Sequence, residues 1–477
     1  MTTSESTPVC SASTSGWTAG ARLIRHALRG SGGSPTEGPL TQAILLLAIP
    51  MVLEMAMESV FAVVDIFWVS RLGAEAVAAV ALTESLMAIV YTVAMGLAIG
   101  VTAMVARRTG EGDPEGAAQA TVQGVLLGLG LSVLMGAFGA WQAPTLLRLL
   151  GAEEPVIATG VGYARVLIGM NAVILLLFLL NAAFRGAGDA AVAMRVLWLA
   201  NGLNLILDPA LIFGWGPFPE LGVTGAAVAT TLGRGTAVLV QLYTLLRLSD
   251  RLRVTWSHLD VRVEVMRRLV RLSTSATVQI FIGTASWIGL VRVVASFGSE
   301  ALAGYAVAIR VVLFALLPAW GLSNAAATMV GQNLGAGQPE RAEAAVWSAA
   351  RMNLVFLGSV GIAFLLLAPQ VVGLFAVDPV TERFAVQGLR IISMGFFFYA
   401  YGMVLTQSFN GAGDTWTPTW LNLVCFWLWE IPLAWLLSFR AGWGPAGVFT
   451  AITIAFSTLA VASALLFRRG RWKEVAV

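Results

Sequence analysis

A chain of 477 residues that is 58% hydrophobic and only 12% charged, with a mean hydropathy of +0.81, is not a soluble domain, which carries roughly twice that share of charge. A net charge of +3 gives no reason to invoke a nucleic-acid partner, and two cysteines, Cys10 and Cys425, build no disulfide framework. No GxxxxGK[ST] motif occurs, so the chain encodes no ATP-driven motor.

Residues 1–39 are rich in Ser, Thr and Gly and lack a cleavable apolar segment. They read as a cytoplasmic tail. Disorder is the expectation for it, with the weakly amphipathic, basic stretch WTAGARLIRHALRG lying on the membrane surface as the alternative. Apolar runs long enough to cross about 30 Å of hydrocarbon then recur to the end of the chain. Twelve spans are expected near 41–70, 76–106, 118–147, 157–184, 192–214, 222–246, 267–297, 301–330, 342–375, 384–409, 416–439 and 445–468. The fold class is therefore an all-α polytopic membrane protein.

Basic residues are distributed unevenly between the connections. Arg22, Arg25, Arg29, Arg107, Arg108, Arg185, Arg195, the run 247–271 and Arg468–Lys473 fall on one side, whereas only Arg71, Arg148, Arg383 and Arg440 fall on the other. The positive-inside rule puts both termini in the cytoplasm, as expected of a multi-pass protein of the inner (plasma) membrane.

The chain repeats itself. LGAEAVAAVAL (72–82) matches FGSEALAGYAV (297–307), GLAIGVTAMVARRTGEGDPEGA (96–117) matches GLSNAAATMVGQNLGAGQPERA (321–342), and FRGAGD (184–189) matches FNGAGD (409–414), all at an offset of 225 residues. An even number of spans per repeat makes the halves parallel, with a cavity between them. Two six-helix lobes, 40–246 and 267–477, are expected about a cytoplasmic linker, 247–266. The duplication suits a transporter that rocks one lobe against the other.

The stretch IPMVLEMAMESVFAVVDIFWVSRLGAEAVAAVAL (49–82) resembles the first two helices of the multidrug and toxic compound extrusion (MATE) transporters of the MOP superfamily. FRGAGDAAVAMRVLWLANGLNLILDPALIFG (184–214) and LGVTGAAVAT (221–230) resemble their fourth to sixth helices, closest to the DinF-like branch. The resemblance covers about 45–465. It implies a secondary antiporter that exports organic cations or other amphiphiles in exchange for H+ or Na+. Such a protein needs no cofactor beyond the coupling ion and has no catalytic residues. Its partners are the lipid bilayer and a small-molecule substrate, and it is expected to act as a monomer.

Helical geometry supports this reading. At 100° per residue Glu54, Glu58 and Asp65 fall within about 40° of one another, a carboxylate stripe about 16 Å long. Such a stripe belongs against water or protein and not lipid. Glu54 and Glu58 are candidates for the substrate cavity, with Gln279, the repeat mate of Glu54. Asp65 also matches the family motif. Asn201, Asn204 and Asp208 share a face of the fifth span, and Pro209 frees a carbonyl one turn earlier. This oxygen-rich set would hold a proton on Asp208 or Na+ at Asp65, Asn204 and Asp208. By resemblance, Tyr163, Asn181 and Thr230 join the same ion-coupling network. A helix-packing network without an ion is the alternative.

The second half departs from this pattern, because Leu290 and Leu433 stand at the repeat positions of Asp65 and Asp208. Glu84, Arg292, Arg310 and Glu430 are further charges within spans, with no assigned partner. RGAGD and NGAGD read as helix junctions capped by Asp189 and Asp414, and the tryptophans Trp320, Trp416, Trp420, Trp427, Trp429 and Trp435 read mostly as interfacial or packing residues, with a few of them able to line an amphiphile cavity. The competing function is a lipid-linked oligosaccharide flippase of the same superfamily, for which fourteen spans and a cationic cavity are more usual. An intramembrane prenyl transferase would need paired Asp-rich loop motifs, which this sequence lacks.

Overall fold

The computed structural model describes residues 16–30, 35–249 and 251–475; Cys10 lies outside them. Among these residues there is no strand. The first helix, α1 (Gly16–Arg29), packs on α2 (Leu40–Val69) and α7 (Ala190–Phe213). It buries Ala27 and turns Arg25 and Arg29 outward. Disorder was the wrong expectation for 16–29: a helix with one apolar stripe and one basic face gains by covering protein.

Among the described residues ten helices are long and apolar enough to cross a membrane, and two bent pairs bring the total to twelve. In the first lobe α2 is followed by α3 (Ala74–Gly110), α4 (Pro114–Leu149), the pair α5 (Glu154–Gly169) and α6 (Asn171–Gly186), α7, and α8 (Val223–Tyr243). The second lobe runs in the same order. It comprises α9 (Val263–Ala295), α10 (Ser299–Gly335), α11 (Pro339–Gly373), the pair α12 (Pro379–Met394) and α13 (Phe396–Ala412), an eleventh span, and α16 (Pro445–Arg468). The eleventh span, Trp416–Arg440, contains α14 (Trp416–Asn422), α15 (Ile431–Trp435) and two π-helical stretches, Leu423–Glu430 and Leu436–Arg440.

The sequence reading treats the fourth and tenth spans as single helices. They are instead bent by 41° and 59°, at Met170 and Gly395, which are repeat mates. Neither bend has a proline. At each, a one-residue turn separates two helices (Met170 at φ −97°, ψ 20°; Gly395 at φ −80°, ψ −11°, still near helical dihedrals) and the next helix restarts at once. Each lobe has its own apolar core.

The lobes meet closely at the end of the bundle that bears both termini. A Cβ on Gly96 would fall 2.0 Å from Thr277 Oγ1, one on Gly321 2.6 Å from the Met51 carbonyl, and one on Gly335 2.2 Å from the Arg107 carbonyl. Only glycine lets α3 and α10 approach these neighbours so closely. Toward the opposite end these approaches stop, and Glu84, Ile89, Arg310 and Leu313 on the same two helices are exposed. The interlobe cleft thus opens away from the termini.

Candidate transport site: a central cavity and a buried carboxylate pocket

Between the lobes lies a cavity of about 280 Å3. The first lobe contributes Glu54, Met55 and Glu58 from α2, Tyr91 and Met95 from α3, Phe178, Asn181 and Arg185 from α6, and Arg234 from α8. The second lobe contributes Ile280, Trp320, Asn324, Gln407 and Asn410. Two of the three expected cavity residues, Glu54 and Glu58, line it. Gln279 is buried one residue from the lining Ile280, and its backbone carbonyl accepts a hydrogen bond from Asn422 at 3.4 Å. Trp320 is on the cavity wall, as expected of a few of the tryptophans.

The carboxylate stripe is not left bare. Arg185 donates to Glu54 Oε1 at 2.7 Å, and Asn181 donates to the same oxygen at 3.2 Å. Gln241 in turn donates to Asn181 Oδ1 at 2.5 Å. Glu58 pairs with Arg234 at 2.9 Å and accepts from Asn201 at 3.4 Å. Arg234 also donates to the Tyr91 hydroxyl at 3.2 Å and lies 5.2 Å from the centre of the Phe61 ring. Glu54 is 1% exposed, so its charge is tolerable only because Arg185 and Asn181 are there. The sequence reading counted Arg185 among the cytoplasmic-side charges and passed over Arg234. An arginine alone in an apolar run, as in TTLGRGTAVLV (230–240), is itself a signal that a buried carboxylate waits on another helix.

Asp208, Asn204 and Thr230 form a second, separate pocket. The Asn204 amide donates to Asp208 Oδ1 at 3.1 Å and to Thr230 Oγ1 at 3.2 Å. Small residues bring α8 close enough for this: a Cβ on Gly233 would sit 2.8 Å from the Ala200 carbonyl, and one on Gly225 2.4 Å from that of Leu211. Asp208 is fully buried, and its Oδ2 and the Asn204 Oδ1 have no hydrogen-bond partner. Pro209 lies inside α7 directly after it.

Asp65 is 8% exposed and close enough to Asp208 for the two charges to act on each other. The Tyr163 side chain is buried within electrostatic reach of both. Of the six residues expected to form one ion-coupling network, three are hydrogen-bonded together, Asp65 and Tyr163 stand beside them, and Asn181 belongs with Glu54 and Gln241. Among the described residues no cluster of three or more His, Cys, Asp or Glu side chains is arranged to hold a metal ion.

Duplicated six-span lobes around a charged cavity are the frame of a transporter, and relatives identify which one. The MatE family model matches residues 50–210 and 276–436, one copy in each lobe. The chain belongs to the MatE family. A probable multidrug resistance protein NorM of Thermotoga maritima is 25% identical over 441 residues, covering 92% of this chain and 94% of that one. A FAD transporter of Shewanella oneidensis is 27% identical over 443 residues, covering 91% and 95%. A solved structure of a multidrug resistance MATE transporter of the MOP superfamily, in an outward-facing conformation, superposes with a TM-score of 0.85 at 27% identity, covering 94% and 97% of the two chains. This MATE chain is a multi-pass membrane transporter of the efflux type and not an enzyme.

The junction motifs of this MATE chain behave unequally. Asp414 accepts from the Thr417 backbone N–H at 3.2 Å and from its hydroxyl at 2.6 Å, as a cap should. Asp189 stands at the N-cap position of α7 without a close side-chain cap, its carboxyl being drawn to Arg251 and Arg195 as well as to the Val192 backbone N–H.

Proposed function

We propose that this MATE chain is a secondary antiporter that carries amphiphilic small molecules, organic cations among them, out of the cell by rocking its lobes, in exchange for H+ or Na+ bound in the first lobe. Both termini are cytoplasmic and the membrane is the plasma (inner) membrane, in keeping with the arginine asymmetry. The observation that carries this reading is Asp208: a carboxylate with no exposure, no basic side chain paired with it and one unpartnered oxygen, held by an Asn204 whose own amide oxygen is unpartnered too. A buried carboxylate of that kind requires a bound cation. Two free oxygens suit a proton shared with Asn204, whereas Na+ needs Asp65, Tyr163 or water to complete its ligands.

Substrate occupies the central cavity, where Met55, Met95, Phe178 and Trp320 offer apolar contact and the Glu54 and Glu58 carboxylates offer charge. Binding of the ion at Asp208 and of substrate in the cavity favour different lobe arrangements, so antiport follows from linkage. Everted vesicles carrying the protein, driven separately by a proton and a sodium gradient, test this with a fluorescent organic cation. Uptake driven by neither gradient would end the antiport reading.

A second reading concerns charge. Arg185 and Arg234 line the same cavity as the two glutamates, which makes it amphoteric and able to take an anionic amphiphile, as the relative named a FAD transporter does. FAD offered to the same vesicles separates the two readings: accumulation of the dye alone favours cations, and accumulation of FAD alone favours anions.

A further inference from the structure

The second lobe has lost the acids of the first, yet it keeps one of its own. Glu430 ends the π-helical stretch Leu423–Glu430 of the eleventh span and is 1% exposed. No arginine, lysine or histidine pairs with it among the described residues, and its Oε1 has no hydrogen-bond partner. The groups facing it can be named element by element. From α10 comes Tyr305, whose buried hydroxyl is also unpartnered. From α13 comes Tyr399, whose buried hydroxyl is unpartnered as well, with Thr453 of α16 nearby. Its own stretch contributes Cys425, also buried, and the charged side chain in the last turn of α9, Arg292, is exposed. Tyr305, Tyr399 and Cys425 all lie within electrostatic reach of the Glu430 carboxyl. Phe426, Phe449 and Phe456 close the box, with Phe449 stacked on Tyr305 and Phe456 against both Tyr399 and Phe426.

We propose that this box is a second proton-binding site, in which the Glu430 carboxyl takes up and gives up one proton during the transport cycle, and Tyr305 and Tyr399 are its positioning residues. An unpaired anion in an apolar box costs several kcal/mol and the neutral acid far less, so a proton is what the site must hold when dry. Na+ is excluded on ligand count, since one carboxyl and two phenols fall short of the five or six oxygens a hard cation gathers. The site is distinct from the Asp208 pocket, being in the other lobe and on other helices.

Two features give the proton a route. The span is π-helical on both sides of α15, between Leu423 and Glu430 and between Leu436 and Arg440, and Pro432 removes a backbone donor between them. Such a segment bends more readily than regular α-helix. Glu430 also lies ten residues from the end at Arg440, about 15 Å along the helix, toward the end where the cleft opens. The role in transport rests on the antiport reading; the protonation does not.

Two measurements on the full-length protein in nanodiscs test the proposal. Infrared spectra should show the carbonyl stretch of a buried protonated carboxylic acid, lost in Glu430→Gln and kept in Asp208→Asn. Tyr305→Phe, which keeps the ring, should shift the same band. Binding of a fluorescent organic cation across pH should then change slope by about one proton in Glu430→Gln. If the band that is kept in Asp208→Asn is not lost in Glu430→Gln, the site is overturned, and so it is by a Tyr305→Phe spectrum identical to wild type if Glu430→Gln fails to fold. A lost band with an unchanged slope overturns the exchange. If no organic cation binds to wild-type protein at any pH, the antiport reading fails, and the infrared arm still decides whether Glu430 holds a proton.

Discussion

Along α2 the first lobe carries Glu54, Glu58 and Asp65, whereas the repeat positions on α9 are Gln279, Gly283 and Leu290. The arginines change with them: the mates of Arg185 and Arg234 are Asn410 and Leu459. Each buried ion pair of one lobe is therefore neutral at both positions in the other. That is what the energetics demand, because an ion pair can be replaced whole at little cost, while removing one partner strands a charge. The duplication thus conserves the frame of six spans, a bend in the fourth and glycine-packed interfaces, while the polar contents differ between lobes in matched units. Asp208 has no such partner, and its mate is Leu433. Asp65 and Asp208 are the first lobe's buried acids outside the matched pairs, and Asp208 is the one with no exposure at all, which marks it for ion binding.

The largest expected effect is at Asp208. Asp208→Asn is near-isosteric and keeps the contact with Asn204, so insertion and folding should survive. Ion-driven export should fall to passive leak, and substrate affinity should lose its dependence on pH or Na+, a coupling of about 5- to 150-fold in systems of this kind. Titration of a fluorescent cation against purified protein reads this directly. A mutant with the wild-type response would make Asp208 a packing residue, like its leucine mate.

The matched-pair argument is sharpened by converting one lobe's pair into the other's. Arg185→Asn alone leaves Glu54 unpaired at 1% exposure and should destabilise the protein by about 3–5 kcal/mol. Adding Glu54→Gln reproduces the Gln279 and Asn410 of the second lobe and should restore most of that loss. Denaturant unfolding in detergent measures both. If the double variant is no more stable than the single, the two charges are not a unit.

A smaller effect is expected at Gly233, whose mate is Thr458. A Cβ at 233 would meet the Ala200 carbonyl at 2.8 Å, so Gly233→Thr should push α8 off α7 at a cost of about 1–3 kcal/mol. The Thr230–Asn204 contact would open with it. Transport should therefore suffer beyond what the lost stability explains, which a comparison at matched folded protein would show. The reverse change, Thr458→Gly, touches no polar pocket and should leave transport unaltered.

Much of this was legible beforehand because it is periodic. Twelve apolar runs, the 225-residue offset and the stripe of Glu54, Glu58 and Asp65 all follow from regular spacing. Asn204 and Asp208 lie one turn apart, and their contact is of the same kind. What escaped are contacts between helices distant in sequence. Glu54 and Arg185 are 131 residues apart and Glu58 and Arg234 are 176 apart, and no period links them. Asn181 was placed by resemblance in one network and sits in its neighbour, because one face of α6 serves Glu54. The bends at Met170 and Gly395 lacked a proline to announce them, and the N-terminal helix lacked the length to compete with a disordered composition.

The smallest expected effect again sets mate against mate, at the start of the two bent pairs. Asp378 caps α12 by accepting from the backbone N–H groups of Val380 and Thr381, each at 3.0 Å. Its mate Glu153 precedes α5 without any side-chain cap, since its longer chain reaches past the helix end. The hydrogen bonds from Thr381 hold the Asp378 carboxyl below the usual aspartate range. Because the folded state lowers its pKa, the cap contributes its full stability above the unfolded value, about 3.9, and loses it as pH falls through the lowered folded value. Asp378→Ala should therefore melt slightly earlier than wild type at neutral pH, and the gap should close in acid as pH falls through the lowered folded value. Glu153→Ala should show no such drop at neutral pH. Paired melting curves at neutral and acidic pH read all three proteins, and an equal drop for both alanine variants would mean that the mates cap alike after all.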